Sequence, residues 1–132
     1  MKNAIPFVLA LVCMLSLSAC QKPLKGSEVY SFPEPTTLIT GTFYSQGQEI
    51  PFEIGSEDYD PKDLSTNEVI QWFYDLELTP CDEPEAVAGS EGYTFRVQGE
   101  DVFTYEDRRK EAYLILENTY YKVSNPSAPP IN

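Results

Sequence analysis

One amphipathic helical segment stands between stretches of alternating apolar and polar residues, and this limits the architectures open to the chain. Ser65–Leu78 carries Val69, Trp72, Phe73 and Leu76 at helical spacing, with Ile70 alongside. Ser65-Thr66-Asn67-Glu68 has the form of a capping box, and Pro80 is expected to stop the helix. Trp72 is expected to anchor the helix on a sheet. Upstream, Thr36–Tyr44 is rich in β-branched and aromatic residues, Ser45–Gln48 is a turn, and Glu49–Ile54 alternates with Ile50, Phe52 and Ile54 on one face. Pro51 lacks a backbone donor, so its strand is expected at an edge. Downstream, Tyr93–Gln98, Val102–Tyr105, Ala112–Leu116 and Thr119–Val123 read as strands joined by short turns. The order ββαββββ predicts an α+β fold: an antiparallel sheet of about five to six strands with one helix packed on one face. The domain is expected to occupy residues 36–123, followed by a Pro-rich flexible tail over 124–132.

The N-terminus carries a different signal. Met1-Lys2-Asn3 is a short basic opening, and Ala4–Ser18 is apolar or small throughout, the length of a signal-peptide core and short for a membrane span. It ends at Leu17-Ser18-Ala19-Cys20. Leucine, a small residue, alanine and cysteine directly after an apolar core resemble the lipobox of bacterial lipoproteins. The resemblance covers residues 1–20 alone. It implies a signal peptide over 1–19, recognition of Leu17, Ser18 and Ala19 by signal peptidase II, and a diacylglyceryl group on the Cys20 sulfur. Two or three acyl chains anchor a protein stably, where one does not. The expected address is a cell membrane, with the domain facing away from the cytoplasm. Gln21 follows the cysteine where an Asp would signal retention at an inner membrane, so an outer membrane is open in a cell with two. Residues 20–35, with Pro23, Pro33 and Pro35, read as the lipidated cysteine and a semi-stiff tether on which Tyr30 and Phe32 dock or swing free.

Cleavage there changes the cysteine arithmetic. Cys13 leaves with the signal peptide and Cys20 becomes a thioether, so Cys81 is the one thiol left and no internal disulfide forms. All the aromatic residues except Phe7 stay in the mature chain, too much ring surface for a disordered segment.

Charge and composition narrow the chemistry. The chain has 9 Lys+Arg, 21 Asp+Glu and no His, a net charge of −12. This argues against a nucleic-acid partner, which needs clustered basic residues. Without histidine there is no Cys–His nucleophile and no imidazole metal ligand. Glu57, Asp58, Asp60 and Asp63 form an acidic loop that lacks the ligand order of a calcium loop, so no metal and no cofactor are expected. Arg108-Arg109-Lys110, the one basic cluster, sits between acidic residues and reads as a solvated hairpin tip. No nucleophile–base pairing is visible, and catalysis is not expected.

The tyrosines give the remaining hint. Tyr120 and Tyr121 are adjacent on one strand, as are Phe43 and Tyr44, so one of each pair must leave the helix-covered face. These four residues are the candidate partner surface. The expected function is a lipid-anchored, extracytoplasmic, non-catalytic binding module for an unknown protein or cell-envelope partner. The alternative is an inhibitor-type or small-ligand or cation-binding domain that works through its acidic loops.

Overall fold

The computed structural model describes residues 22–58, 65–85, 89–108 and 111–131. The elements run β1 (Leu24–Lys25), α1 (Gly26–Val29), β2 (Leu38–Ser45), β3 (Gln48–Gly55), α2 (Ser65–Tyr74), β4 (Glu77–Cys81), β5 (Glu91–Val97), β6 (Glu100–Asp107), β7 (Ala112–Leu116) and β8 (Thr119–Val123). The strands form one antiparallel sheet of eight, in the order β1-β4-β8-β7-β6-β5-β2-β3. The expectation of five to six strands, one helix and the order ββαββββ is therefore corrected. The described residues form eight strands and two small helices, and β1, α1 and β4 are the elements that expectation lacked.

Each missed element has a physical reason. The segment Glu77–Cys81 continues the apolar spacing of the preceding helix, and its proline reads as a stop. In the fold α2 ends at Tyr74, and β4 is held by its neighbours: Leu78 pairs with Val123 on one side and with Leu24 on the other. The β1 strand reaches only Leu78, so beyond it β4 is an edge, where a proline is tolerated. Asn125 secures the junction. Its side chain accepts from the Glu77 N–H at 2.7 Å and donates to the Asp75 carbonyl at 2.9 Å. Strand β1 has two residues, too short for any periodicity to reveal.

The rest of the sheet is built from hairpins. The turns Gln46-Gly47, Gln98-Gly99 and Glu117-Asn118 have both residues at positive φ, the mirror-image turn geometry that matches sheet twist. Cross-strand register then sorts the side chains. One face carries the rows Ile54–Ile39–Val97 and Phe52–Gly41–Phe95–Phe103, with Tyr105, Leu114, Val123 and Leu78 completing it. Helix α2 lies on this face through Val69, Phe73 and the following Leu76, all buried. Trp72 stacks on Phe95 at 5.9 Å and meets Tyr105 edge-on at 5.1 Å, while Phe73 lies 4.6 Å from Phe103. Its indole N–H donates to the Ser127 carbonyl and hydroxyl oxygens.

Both ends of the described chain join this core. Phe32 is 5% exposed and meets Phe73, Tyr74 and Phe103 edge-on, and its backbone N–H donates to the Tyr74 hydroxyl at 2.9 Å. Pro129 is buried, and Ile131 packs against the core from the other end.

Gly26 marks where the N-terminal segment touches α2. Its N–H donates to the Leu76 carbonyl at 2.9 Å, and a Cβ at this position would overlap the Phe73 carbonyl. Gly26→Ala must push the segment off the helix. It should lower stability in urea by about 2–3 kcal/mol and speed proteolysis at Lys25.

Burial of Tyr105, 1% exposed, pushes its hydroxyl up to about 12; the Ser127 backbone N–H facing its oxygen pulls weakly the other way. A raised folded-state value means the associated stability is present below pH 10 and lost as pH rises from about 10 to 12. The urea midpoint should fall over that window, and Tyr105→Phe should flatten the fall by about 2–3 kcal/mol.

Candidate functional site

Among the described residues no helix packs on the second face of the sheet. Its side chains follow from the same register. The row Pro51–Thr42–Thr94–Thr104–Ile115–Tyr120–Cys81 crosses the sheet, and beside it runs Glu49–Tyr44–Gly92–Glu106–Tyr113–Lys122–Thr79. These are hydroxyl, aromatic and charged groups in place of the aliphatic rows on the helix side.

The two halves of this face differ. Over β6–β8 it is covered by a network. The Arg108 guanidinium, 12% exposed, pairs with Glu106 at 2.6 Å, lies 5.3 Å over the Tyr113 ring and donates to the Glu85 carbonyl. Tyr113 donates to Glu111, which also receives Lys122 at 3.2 Å. The hydrogen bonds from Tyr113 and Lys122 hold the Glu111 carboxyl below its ordinary range, and the bond to Glu111 holds the Tyr113 hydroxyl above its own. Tyr120 donates to Glu83 at 3.2 Å, so residues 82–85 are fastened to the face at two points.

Over β2, β5 and β6 the described residues leave the face uncovered. Gly92 stands between Tyr44 and Glu106 and has no side chain to fill the space; a Cβ there would meet nothing closer than 4.0 Å. The result is a shallow hollow of about 420 Å³ lined by Tyr44, Ser90, Glu91, Thr94, Thr104, Glu106 and Arg108. The Thr94 and Thr104 hydroxyls are bonded to each other at 3.2 Å, and Ser45 donates to Glu91 at the rim. Donors and acceptors are both present, and the part-buried Glu106 carboxylate is balanced by Arg108. Such a floor suits a polar group held by hydrogen bonds.

The residues singled out from sequence are divided by this geometry. Tyr44 and Tyr120 are on the open face, Tyr44 at the hollow and Tyr120 at the covered end bonded to Glu83. Phe43 and Tyr121 are on the helix side, where Phe43 stacks with Tyr93 at 4.6 Å and Tyr121 packs against the core. The four do not form one surface. Leu17, Ser18, Ala19 and Cys20 lie outside the described residues, as do Asp60, Asp63, Arg109 and Lys110. Glu57 and Asp58 are exposed, and among the described residues no group of acidic or sulfur ligands is placed to hold a metal ion. Cys81 is a free, exposed thiol whose partial desolvation and neighbouring Asp82 push it above its ordinary value, so at neutral pH it is a weak nucleophile. Among the described residues no helix is long and apolar enough to cross a membrane.

Sequence reasoning missed the hollow because the expected strand begins at Tyr93 and leaves out Glu91 and Gly92, which belong to β5. The available signal was a glycine next to an alternating strand, which often marks close approach or missing volume.

The Arg108–Glu106 pair is the joint of the covered half. Arg108→Gln leaves the part-buried Glu106 carboxylate without its cation and removes one of the two ties on residues 82–85. It should cost about 1–3 kcal/mol in denaturation. Adding Glu106→Gln should recover part of the loss; simple additivity of the two changes would show that the pair is not coupled.

The chain matches no protein-family model, no curated protein and no solved structure.

Proposed function

We propose that the protein is a lipid-anchored, extracytoplasmic binding module that grips a polar group of a cell-envelope partner in the hollow at Gly92. The carrying observation is the contrast between the two halves of the uncovered sheet face. One half is tied down by Arg108, Tyr113 and Tyr120, while the other leaves hydroxyl and charged groups accessible around a gap with no side chain in it. The anchor is supported by Leu17-Ser18-Ala19-Cys20 after an apolar core. A binding role is supported by what the hollow holds. Its hydroxyls, the Arg108–Glu106 pair and Tyr44 can recognise and orient a ligand, and none of them is arranged as an activated nucleophile with its base.

Two measurements test the reading separately. Intact mass of the protein purified from its native membrane should begin at Cys20 and carry acyl groups, and Cys20→Ala should accumulate as the unprocessed precursor. A soluble, unacylated product from both chains would end the anchor proposal. For the hollow, a photo-crosslinking residue at position 44 should give envelope adducts that disappear on adding Gly92→Phe, while the same probe at exposed position 57 gives none. Gly92→Phe has room on the surface and should leave the melting temperature nearly unchanged. Adducts that persist after the hollow is filled would rule it out as the binding site.

A further inference from the structure

The lipid-bearing cysteine and the folded domain are very close in the chain. Leu24 already pairs with Leu78, and Lys25 with Glu77. Only Gln21, Lys22 and Pro23 separate Cys20 from that strand. Four residue steps at full extension reach about 14 Å. The segment that follows cannot be released to lengthen this link without undoing packed structure. The Gly26 N–H is bonded to Leu76, the Lys25 ammonium lies 3.4 Å from Glu77, and the Phe32 ring is buried against Phe73.

We propose that the β1–β4 edge is a membrane-facing surface whose partner is the lipid headgroup layer, held within about 14 Å of it by the anchor. The inference rests on lipidation of Cys20, and it goes beyond that reading in fixing which side of the domain the bilayer meets. Charge adds a small term to the same orientation. Lys22 and Lys25 are both exposed at this exit, in a chain whose net charge is −12, but Lys25 is paired with Glu77 and Glu28 lies beside it, so Lys22 carries the local positive charge. The reach is under two Debye lengths at physiological salt, so Lys22 feels an anionic headgroup layer while the acidic bulk of the domain is repelled from it. The hollow lies between β5 and β6, four to five strand spacings from β1, which is about 20 Å. Anchor reach and sheet width together set the site within roughly 35 Å of the bilayer. The partner is therefore one that comes close to the membrane itself.

Cys81 supplies the probe. It is exposed, and β4 runs antiparallel to β1, so Cys81 lies on the side toward which the chain leaves for Cys20. The acylated full-length protein, its mass confirmed first, is labelled at Cys81 with a fluorophore and placed in phosphatidylcholine vesicles containing a headgroup-nitroxide lipid. Quenching at Cys81 should be several-fold stronger than at Glu49→Cys on the distal strand β3 in a Cys81→Ser background. Inserting a flexible Gly/Ser segment of about 20 residues between Lys22 and Pro23 should remove that difference, because such a linker spans about 25 Å on average. Equal quenching at the two positions in the native chain, or quenching at Cys81 that ignores the insertion, would overturn the seating while leaving lipidation intact. A mature mass without acyl groups would overturn the anchor and the seating together.

Discussion

The aromatic interlock between α2 and the sheet carries the fold. Trp72 and Phe73 are neighbours on the helix, and each is matched to a ring on the strands: Phe95 and Tyr105 for the first, Phe103 for the second. Phe95 and Phe103 stack on each other at 4.6 Å, so the contacts form a continuous layer. Edge-to-face and offset pairs of this kind add about 0.5–1.5 kcal/mol each beyond the area they bury. A ten-residue helix is too short to cover an eight-stranded sheet. The two described chain ends finish the work: Phe32 packs edge-on against Phe73, Ser127 meets Trp72 and Tyr105, and Ile131 packs against the core.

That division of labour explains which parts of the structure were legible in the sequence. Strands β2, β3 and β5 to β8 were legible from their β-branched and aromatic content and the short turns between them; alternation tracks burial in β5 and β6, whereas β7 is buried on both faces and β3 buries only Ile54. The helix was legible through the spacing of Val69, Trp72, Phe73 and Leu76. Its end was not. Leu76 and Leu78 continue to look helical, and only the pairing of Leu78 with Val123 and Leu24 turns that segment into a strand. The prolines of residues 20–35 and 124–132 suggested chain in solvent. They sit beside Phe32, whose docking the sequence left open and which is buried, and Ile131, which is partly buried against the core; both contacts are tertiary facts. The hollow was illegible for a related reason: it is made by a missing side chain at Gly92 and by cross-strand neighbours far away in sequence.

The covered and open halves of the helix-free face follow from one electrostatic arrangement. Arg108 is the single described cation on that face with so little exposure, and it satisfies itself three ways: an ion pair with Glu106, the face of the Tyr113 ring, and the Glu85 carbonyl. An arginine held this way acts as a clamp for the connection before β5, because a planar guanidinium can serve several partners at fixed angles. The same pair forms one wall of the hollow. The loop fastening and the polar floor are consequently one structure, and a ligand that drew Glu106 away from Arg108 would also loosen residues 82–85.

The sheet edges decide how this protein can meet anything else. A two-residue turn closes β2 and β3 at Ser45 and Gln48, so residues 48, 50, 52 and 54 direct their backbone groups inward to β2. Glu49, Pro51 and Glu53 direct theirs outward. The exposed edge of the sheet therefore offers a residue with no N–H at its centre, flanked by two carboxylates, a combination that blocks strand addition. At the other edge, β1 is two residues long and leads at once toward Cys20, and beyond Leu78 the edge passes to β4, where Pro80 lacks an N–H. With a proline on each edge and one face under the helix, the described face roughened by Gly92 is the one left for partner recognition.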